Sequence, residues 1–229
     1  LAALRSVGLM GLRGDPDHGG VGEGLLTTCL VTEALAKECP STALIYKMHL
    51  ESIEMVCRAP TAEQAANVVP KLVAGEWLST VAGSEAGHKG GAWADAPKAS
   101  VDQVDGGYQV ANIAKSFVTA AGKADSYFFM CSLERPEQRP KQLMFQILSD
   151  DLDWTIDEPW DGLGMRGNGS SPMTFNGRIP DERLINPDNQ PVDFFPVVLA
   201  TYAATYLGIA AGCYDRLHAH VAGATLADG

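Results

Sequence analysis

Apolar residues in the first third of the chain recur at helical spacing. In "LLTTCLVTEALAKECP", Leu26, Leu30, Ala34 and Leu35 fall on one stripe that stops at Pro40. "STALIYKMHLESIEMVCRA" opens on a Ser41 or Thr42 cap and sets Leu44, Ile45, Met48 and Met55 on one face, with the small Ser52 between them. "TAEQAANVVPKLVAGEW" carries cap-like Thr61 and Glu63, and Pro70 interrupts it before Gly75. From about Trp77 to Ile185 the period changes to two. "GYQVAN", "KSFVTAA", "SYFFMCSL", "KQLMFQIL" and "PMTFNGRIP" read as short strands separated by Gly, Asp and Pro. After the turn-rich "NPDNQPVD" the helical period returns in "FFPVVLATYAATYLGIAAGCYDRLHAHV", where Gly208 and Gly212 are spaced for close helix packing.

This pattern predicts an α+β fold. A helical region over 1–76 precedes a β sandwich or small barrel over 77–190, and 191–229 holds the first helix of a second helical region. That last helix is apolar on nearly all sides, through Leu199, Tyr202, Ala203, Tyr206, Leu207, Ile209 and Ala210, and a helix of this kind is built for burial. The chain opens on Leu1 inside a helical pattern and closes just after another, so it is expected to be a portion of a longer protein.

Composition narrows the function. With 46% hydrophobic residues the 229-residue chain can bury a core. A net charge of −11, with 17 basic residues that form no run, speaks against a nucleic-acid partner. The five cysteines show neither a CxxC pair nor zinc spacing, and an odd number fits a disulfide framework poorly. They read as reduced, buried thiols in a cytoplasmic protein without a metal. No run reaches the 18 apolar residues of a membrane span, and no secretory pattern is visible. His49, behind an apolar helix face, reads as a core histidine, and His218 and His220, two apart, lie on different faces.

"LGMRGNGSSPMTFNGRIPDERLI", residues 163 to 185, holds Arg166, Asn168, Ser170 and Ser171 together on more glycine than a hairpin requires. It resembles the LGxRxS segment of the acyl-CoA dehydrogenases and their flavin-dependent relatives. Three further stretches match that family in order: "VGLMGLRGDPDHGGVGEGLLTTCLVTEALAKECPSTAL", "VVPKLVAGEW", and "KSFVTAAGKADSYFF", which is similar to the family's Trp-Ile-Thr strand with its downstream Ala-Asp.

The resemblance implies FAD, with the flavin ring lying between the β domain and the C-terminal bundle. Phe117, Val118 and Thr119 then occupy the Trp-Ile-Thr positions, where an aromatic covers the ring and a hydroxyl bonds its polar edge. "AGSEAGHK" resembles the family's Ala-Gly-Ser-Asp segment, which places Ser84 on the serine that helps hold cofactor and substrate, with Gly83 on the substrate side and Glu85 for the aspartate. Counting back from Ser84 sets Leu78, Ser79 and Thr80 against Thr-Glu-Pro. Leu78 and Val81 are then cofactor contacts through the backbone alone, and Lys89 lies near the pyrophosphate. Arg166, Ser170 and Ser171 are expected near the substrate cavity mouth, with pairing of Arg166 to Asp161 or to a turn carbonyl as the plainer alternative.

In most members of the family the catalytic glutamate lies in the C-terminal bundle, beyond residue 229, so no base is assigned in this chain. The implied activity is α,β-dehydrogenation of an acyl thioester, by a dimer or tetramer that passes electrons to a partner. A flavin-dependent monooxygenase on the same fold is the alternative, kept open by the missing Thr-Glu-Pro. A non-catalytic scaffold is the third reading.

Overall fold

The computed structural model describes residues 1–58, 60–87, 97–134, 140–185 and 195–223. Its helices are α1 (Ala2–Ser6), α2 (Leu25–Glu38), α3 (Pro40–Arg58), α4 (Val69–Val73) and α5 (Phe195–Gly223). Its strands are β1 (Ser79–Ala82), β2 (Ser100–Val104), β3 (Gly107–Val118), β4 (Ser126–Leu133), β5 (Lys141–Leu148), β6 (Leu152–Ile156) and β7 (Ser171–Pro180). The α+β organisation read from the pattern is the one observed.

The strands form one sheet in the order β1-β4-β2-β3-β7-β6, with β5 on the other edge of β4. β4 runs parallel to β1 and to the start of β2, whereas β2-β3, β3-β7, β6-β7 and β4-β5 are antiparallel. The sheet curls so that Tyr127, Phe129 and Cys131 of β4 meet Phe145 of β5 and Phe175 and Ile179 of β7 in one apolar cluster. Edge-to-face rings at 5.0 to 5.7 Å, Tyr108 on Phe145 and Phe175 on Tyr127 and Phe129, fill it. The alternate β4 residues, Phe128 and Met130, face the helices and pack with Ile53, Met55, Val69 and Leu72. β4 is therefore apolar on both faces, which accounts for "SYFFMCSL" showing no alternation.

Several departures from the hydropathy reading have physical causes. "GYQVAN" and "KSFVTAA" belong to the single strand β3, and the short strands β1, β2 and β6 are additional. On α2, Leu26 and Leu30 are exposed, while Thr28, Thr32 and Ala36 are buried. α5 runs along α2 so closely that a Cβ at Gly208 or Gly212 would strike the Glu33 or Lys37 carbonyl, and only small side chains fit between the two backbones. α5 is long and apolar enough to cross a membrane by length and composition, although no stretch of it is an unbroken run of 18 apolar residues. Here its small-residue face packs on α2, and Thr201 donates to the buried Glu51 of α3.

At the start of the turn before α4, Thr61 pairs reciprocally with Gln64, not with Glu63. Of the cysteines only Cys131 is buried; Cys39 and Cys213 are exposed, and none of the five is in a disulfide. His49 is a core residue as expected, its Nδ1 accepting the Ser79 amide at 3.0 Å.

Candidate functional site

Five segments converge on one cavity of about 470 Å³. The exit of β1 places Gly83 and Ser84 on its rim, and the end of β3 contributes Phe117, with Thr119 just beyond it. The loop before β7 adds Trp160, Leu163 and Ser170, while Leu44 and Met48 of α3 and Tyr202 of α5 close the helical side.

Local geometry explains why the sheet opens here. Between Lys115 and Val118 the β3-β7 register slips, so β3 carries an extra residue opposite β7. Such a bulge bends the strand and re-aims its side chains. Phe117 consequently faces outward, 61% exposed for so large an apolar group, while Val118 points into the β core. The Ser116 amide, in the bulge, donates to the Ser84 carbonyl at 2.8 Å. Beyond the strand, Ala120 takes a left-handed φ of 55°, and its amide donates to the Asn168 carbonyl at 2.8 Å. This turn brings the Thr119 and Ser170 hydroxyls to 3.0 Å.

The loop over the cavity is internally fastened. Trp160 Nε1 donates to the Met165 carbonyl at 3.1 Å, Met165 has a left-handed φ of 54°, and Asn168 Oδ1 accepts the Ser170 amide at 3.2 Å. Leu163, between two glycines, is fully exposed at the rim.

The lining is apolar and hydroxyl-bearing, with no charged side chain among its described residues. Two ion pairs lie behind it. Lys115 meets Glu85 at 2.6 Å, beneath the β1 exit. Lys47 meets Glu51 at 2.8 Å, and its ammonium sits 3.3 Å from the Tyr202 ring centroid. Burial pulls both lysines below their ordinary pKa against the pull of their carboxylates. Burial also raises Tyr202 and pushes Cys131, beside Lys115, up to about 12. A second hollow, about 480 Å³, shares Phe117, Trp160 and Ser170 with the first and is edged by Asp157, Glu158 and Asp161.

Of the residues expected from the sequence, Val81, Gly83, Ser84, Phe117, Thr119 and Ser170 line the cavity. Leu78 does not: its amide donates to Asp125 Oδ2 and its carbonyl accepts from Asp125 and Ser126, so its backbone is already used. The hydroxyl at the strand exit that reaches the cavity is Ser84. Val118 faces the β core, and Ser171 is buried in the β7 ladder opposite it. Arg166 turns away to solvent, bonded to the Gly162 carbonyl at 3.1 Å and to Asp161 at 2.7 Å. Lys89 lies outside the described residues. Leu44, Met48, Trp160, Leu163 and Tyr202 were missed as site residues, because at helical or loop positions they carry no pattern that separates a cavity wall from a core.

The acyl-CoA dehydrogenase N-terminal domain family matches residues 1–76. The isovaleryl-CoA dehydrogenase of Arabidopsis thaliana is 28% identical over 218 residues, covering 91% of this chain and 52% of that protein. The short/branched chain specific acyl-CoA dehydrogenase of Bos taurus is 29% identical over 221 residues, covering 94% and 50%.

Over most of its length the chain is similar to acyl-CoA dehydrogenases, and its first 76 residues match that family's N-terminal domain. Solved structures share the superfamily fold: butyryl-CoA dehydrogenase from Megasphaera elsdenii at a TM-score of 0.74 and 21% identity, over 92% of this chain and 55% of that one. The methanesulfinate monooxygenase MsuC from Pseudomonas fluorescens gives 0.82 and 22%, over 99% and 57%, and an FAD complex of PigA gives 0.83 and 18%, over 98% and 60%. The chain spans about half the length of the curated superfamily relatives it matches.

Proposed function

We propose that this chain is the cofactor-cradling part of an FAD-dependent oxidoreductase that oxidises an acyl thioester between its α and β carbons. The observation that carries the reading is the convergence of Ser84, Phe117 and Thr119, from two separate strands, on one apolar cavity walled by helices. These residues fit a flavin: an outward aromatic can cover a planar ring, and two neutral hydroxyls can bond its polar edge. Named relatives that act on acyl-CoA thioesters support the substrate class, and a named FAD complex on the same fold supports the cofactor.

When bound, the flavin supplies hydride acceptance. The chain's own groups orient it and exclude water. Thr119, already held by Ser170, presents its hydroxyl from the β3 end, and Ser84 presents a second from the β1 exit. Leu44, Met48 and Tyr202 form a dry wall on which an acyl chain can lie, and lowering the local dielectric there strengthens each hydrogen bond. The α proton requires a base. No carboxylate or imidazole lines the cavity among the described residues, and no base is assigned. Assembly as a dimer or tetramer and electron delivery to a partner protein belong to the same proposal.

A monooxygenase reading is favoured by one observation. No Lys or Arg lines either hollow among the described residues, and the second is acidic, so neither offers a site for the phosphates of coenzyme A. Purified full-length protein decides between the two. Bleaching of the flavin absorbance by acyl-CoA without oxygen supports the dehydrogenase. Bleaching only by an external reductase selects the monooxygenase, and a protein without flavin absorbance rejects both.

A further inference from the structure

The bulge that aims Phe117 and Thr119 at the cavity gives up regular pairing with β7 where precision is needed most. Two contacts hold it. One is the Ser116 amide on the Ser84 carbonyl. The other is Lys115, the last regularly paired residue before the slip, whose side chain turns inward and is fully buried. Its ammonium donates to Glu85 Oε1 at 2.6 Å and to the Met130 carbonyl at 2.5 Å. Glu85 Oε2 accepts the amides of Lys98 at 2.7 Å and Ala99 at 3.2 Å. One carboxylate therefore ties the exit of β1, the approach to β2 and the start of the β3 bulge. Ser84 directly precedes Glu85, and Thr119 follows Lys115 by four residues.

We propose that Glu85 and Lys115 are positioning residues: they clamp the β1 exit to the β3 bulge and hold the Ser84 and Thr119 hydroxyls at one spacing for the edge of a bound flavin. This rests on the flavoenzyme reading above. Stability alone is a weak reason for such a pair, because desolvating two charges offsets most of their attraction and apolar side chains of similar size often serve as well. What apolar side chains cannot supply is direction. The pair fixes the distance between two backbones, and both backbones end in a cavity hydroxyl.

The test uses the full-length protein with Glu85→Gln and Lys115→Met, each made in the wild-type background and in a Ser84→Ala/Thr119→Val background. Flavin dissociation constant and the shape of the visible absorption band are measured. With each hydroxyl bond worth roughly a factor of three to ten, misaligning them is expected to weaken flavin retention by about tenfold and to alter the band. In the background without the two hydroxyls, the same substitutions are expected to change retention less than about twofold, since nothing remains to be positioned. Lowered thermal stability with unchanged affinity and spectrum would show a structural strut only and overturn the inference. So would an equal loss in both backgrounds. Should Lys115→Met fail to fold, Lys115→Arg keeps the charge but changes its reach, and an affinity and spectrum equal to wild type would likewise overturn the clamp. A wild-type protein that binds no flavin overturns the inference together with the reading it rests on, whereas a flavin-binding wild type with indifferent clamp variants overturns the inference alone.

Discussion

Two buried lysine-glutamate pairs flank the same cavity, and they are finished differently. Around Glu85 both carboxylate oxygens are occupied, one by Lys115 and one by two backbone amides, and Lys115 also reaches a carbonyl. Around Glu51, Oε1 takes Lys47 at 2.8 Å and the Thr201 hydroxyl at 2.6 Å, but Oε2 has no hydrogen-bond partner among the described residues. The other neighbours of Lys47 are soft: the Met48 sulfur at 3.8 Å and the Tyr202 ring. The first pair joins three β segments through backbone groups. The second lies along one helix, at i and i+4, and meets α5 through side chains alone. A buried pair with complete hydrogen bonding fixes geometry, whereas one with an orphan oxygen carries an unrelieved desolvation cost.

The largest effect is expected from breaking the finished pair. Lys115→Met leaves Glu85 buried without its cation and should cost about 3 to 5 kcal/mol of unfolding free energy, read by denaturant titration. A loss below about 1 kcal/mol would show that the β segments do not depend on the clamp.

Acid separates the two regions next. His49 shares α3 with the second pair, and its burial lowers its pKa from the ordinary 6.5 to about 4. Above pH 6.5 both the folded and unfolded imidazoles are neutral. Between 6.5 and about 4 only the unfolded chain gains the proton, so stability should fall by about 3 kcal/mol across that window and His49→Gln should flatten the slope. Glu85 behaves differently. Its burial raises the pKa, but Lys115 and the hydrogen bonds it accepts outweigh that and the net shift is downward. Its contribution is present above pH 4.5 and is lost only as pH falls below that value. The helical layer should therefore weaken first, which near-neutral and acidic unfolding curves of wild type and His49→Gln will show.

A smaller change of opposite sign is expected when the unfinished pair is replaced as a unit. Lys47→Met with Glu51→Leu should be neutral or stabilising by about 1 kcal/mol, because it removes the orphan oxygen and both desolvated charges. Loss of more than about 2 kcal/mol would equate the two pairs and break the comparison. The smallest effect belongs to Arg166→Ala: its partner Asp161 and its own side chain are both mostly in solvent, so thermal melting should not move measurably and flavin retention should equal wild type.

Much of the site was legible in the chain. "KSFVTAA" and "AGSEAGHK" marked Phe117, Thr119 and Ser84 through their resemblance to the Trp-Ile-Thr and Ala-Gly-Ser-Asp segments of the acyl-CoA dehydrogenases; by residue type alone they read as ordinary strand and turn residues. Lys115 stood in the same quoted stretch, yet its role was invisible, since a lysine in a strand looks solvated until the fold shows a carboxylate facing it. Leu78 misled for a related reason: which backbone groups a strand leaves free is set by its neighbours, and here Asp125 and Ser126 take both the amide and the carbonyl.

The sequence by itself determined the order of the layers, helices then strands then helix, because periods of 3.6 and 2 are local properties of the backbone. It also determined the strands β4 and β5 to the residue, where continuous apolar runs end at charges and turn formers. Only the tertiary structure decided which face of α2 is inside. The leucines set a plausible stripe, but Gly208 and Gly212 of α5, more than 170 residues further on, bring a backbone so close that threonine and alanine fit and leucine does not. The bulge in β3 was decided in the same way. Nothing in "AKSFVTA" marks an extra residue until β7 lies beside it and Glu85 reaches across from another strand, because register and charge pairing are relations between segments distant in the chain.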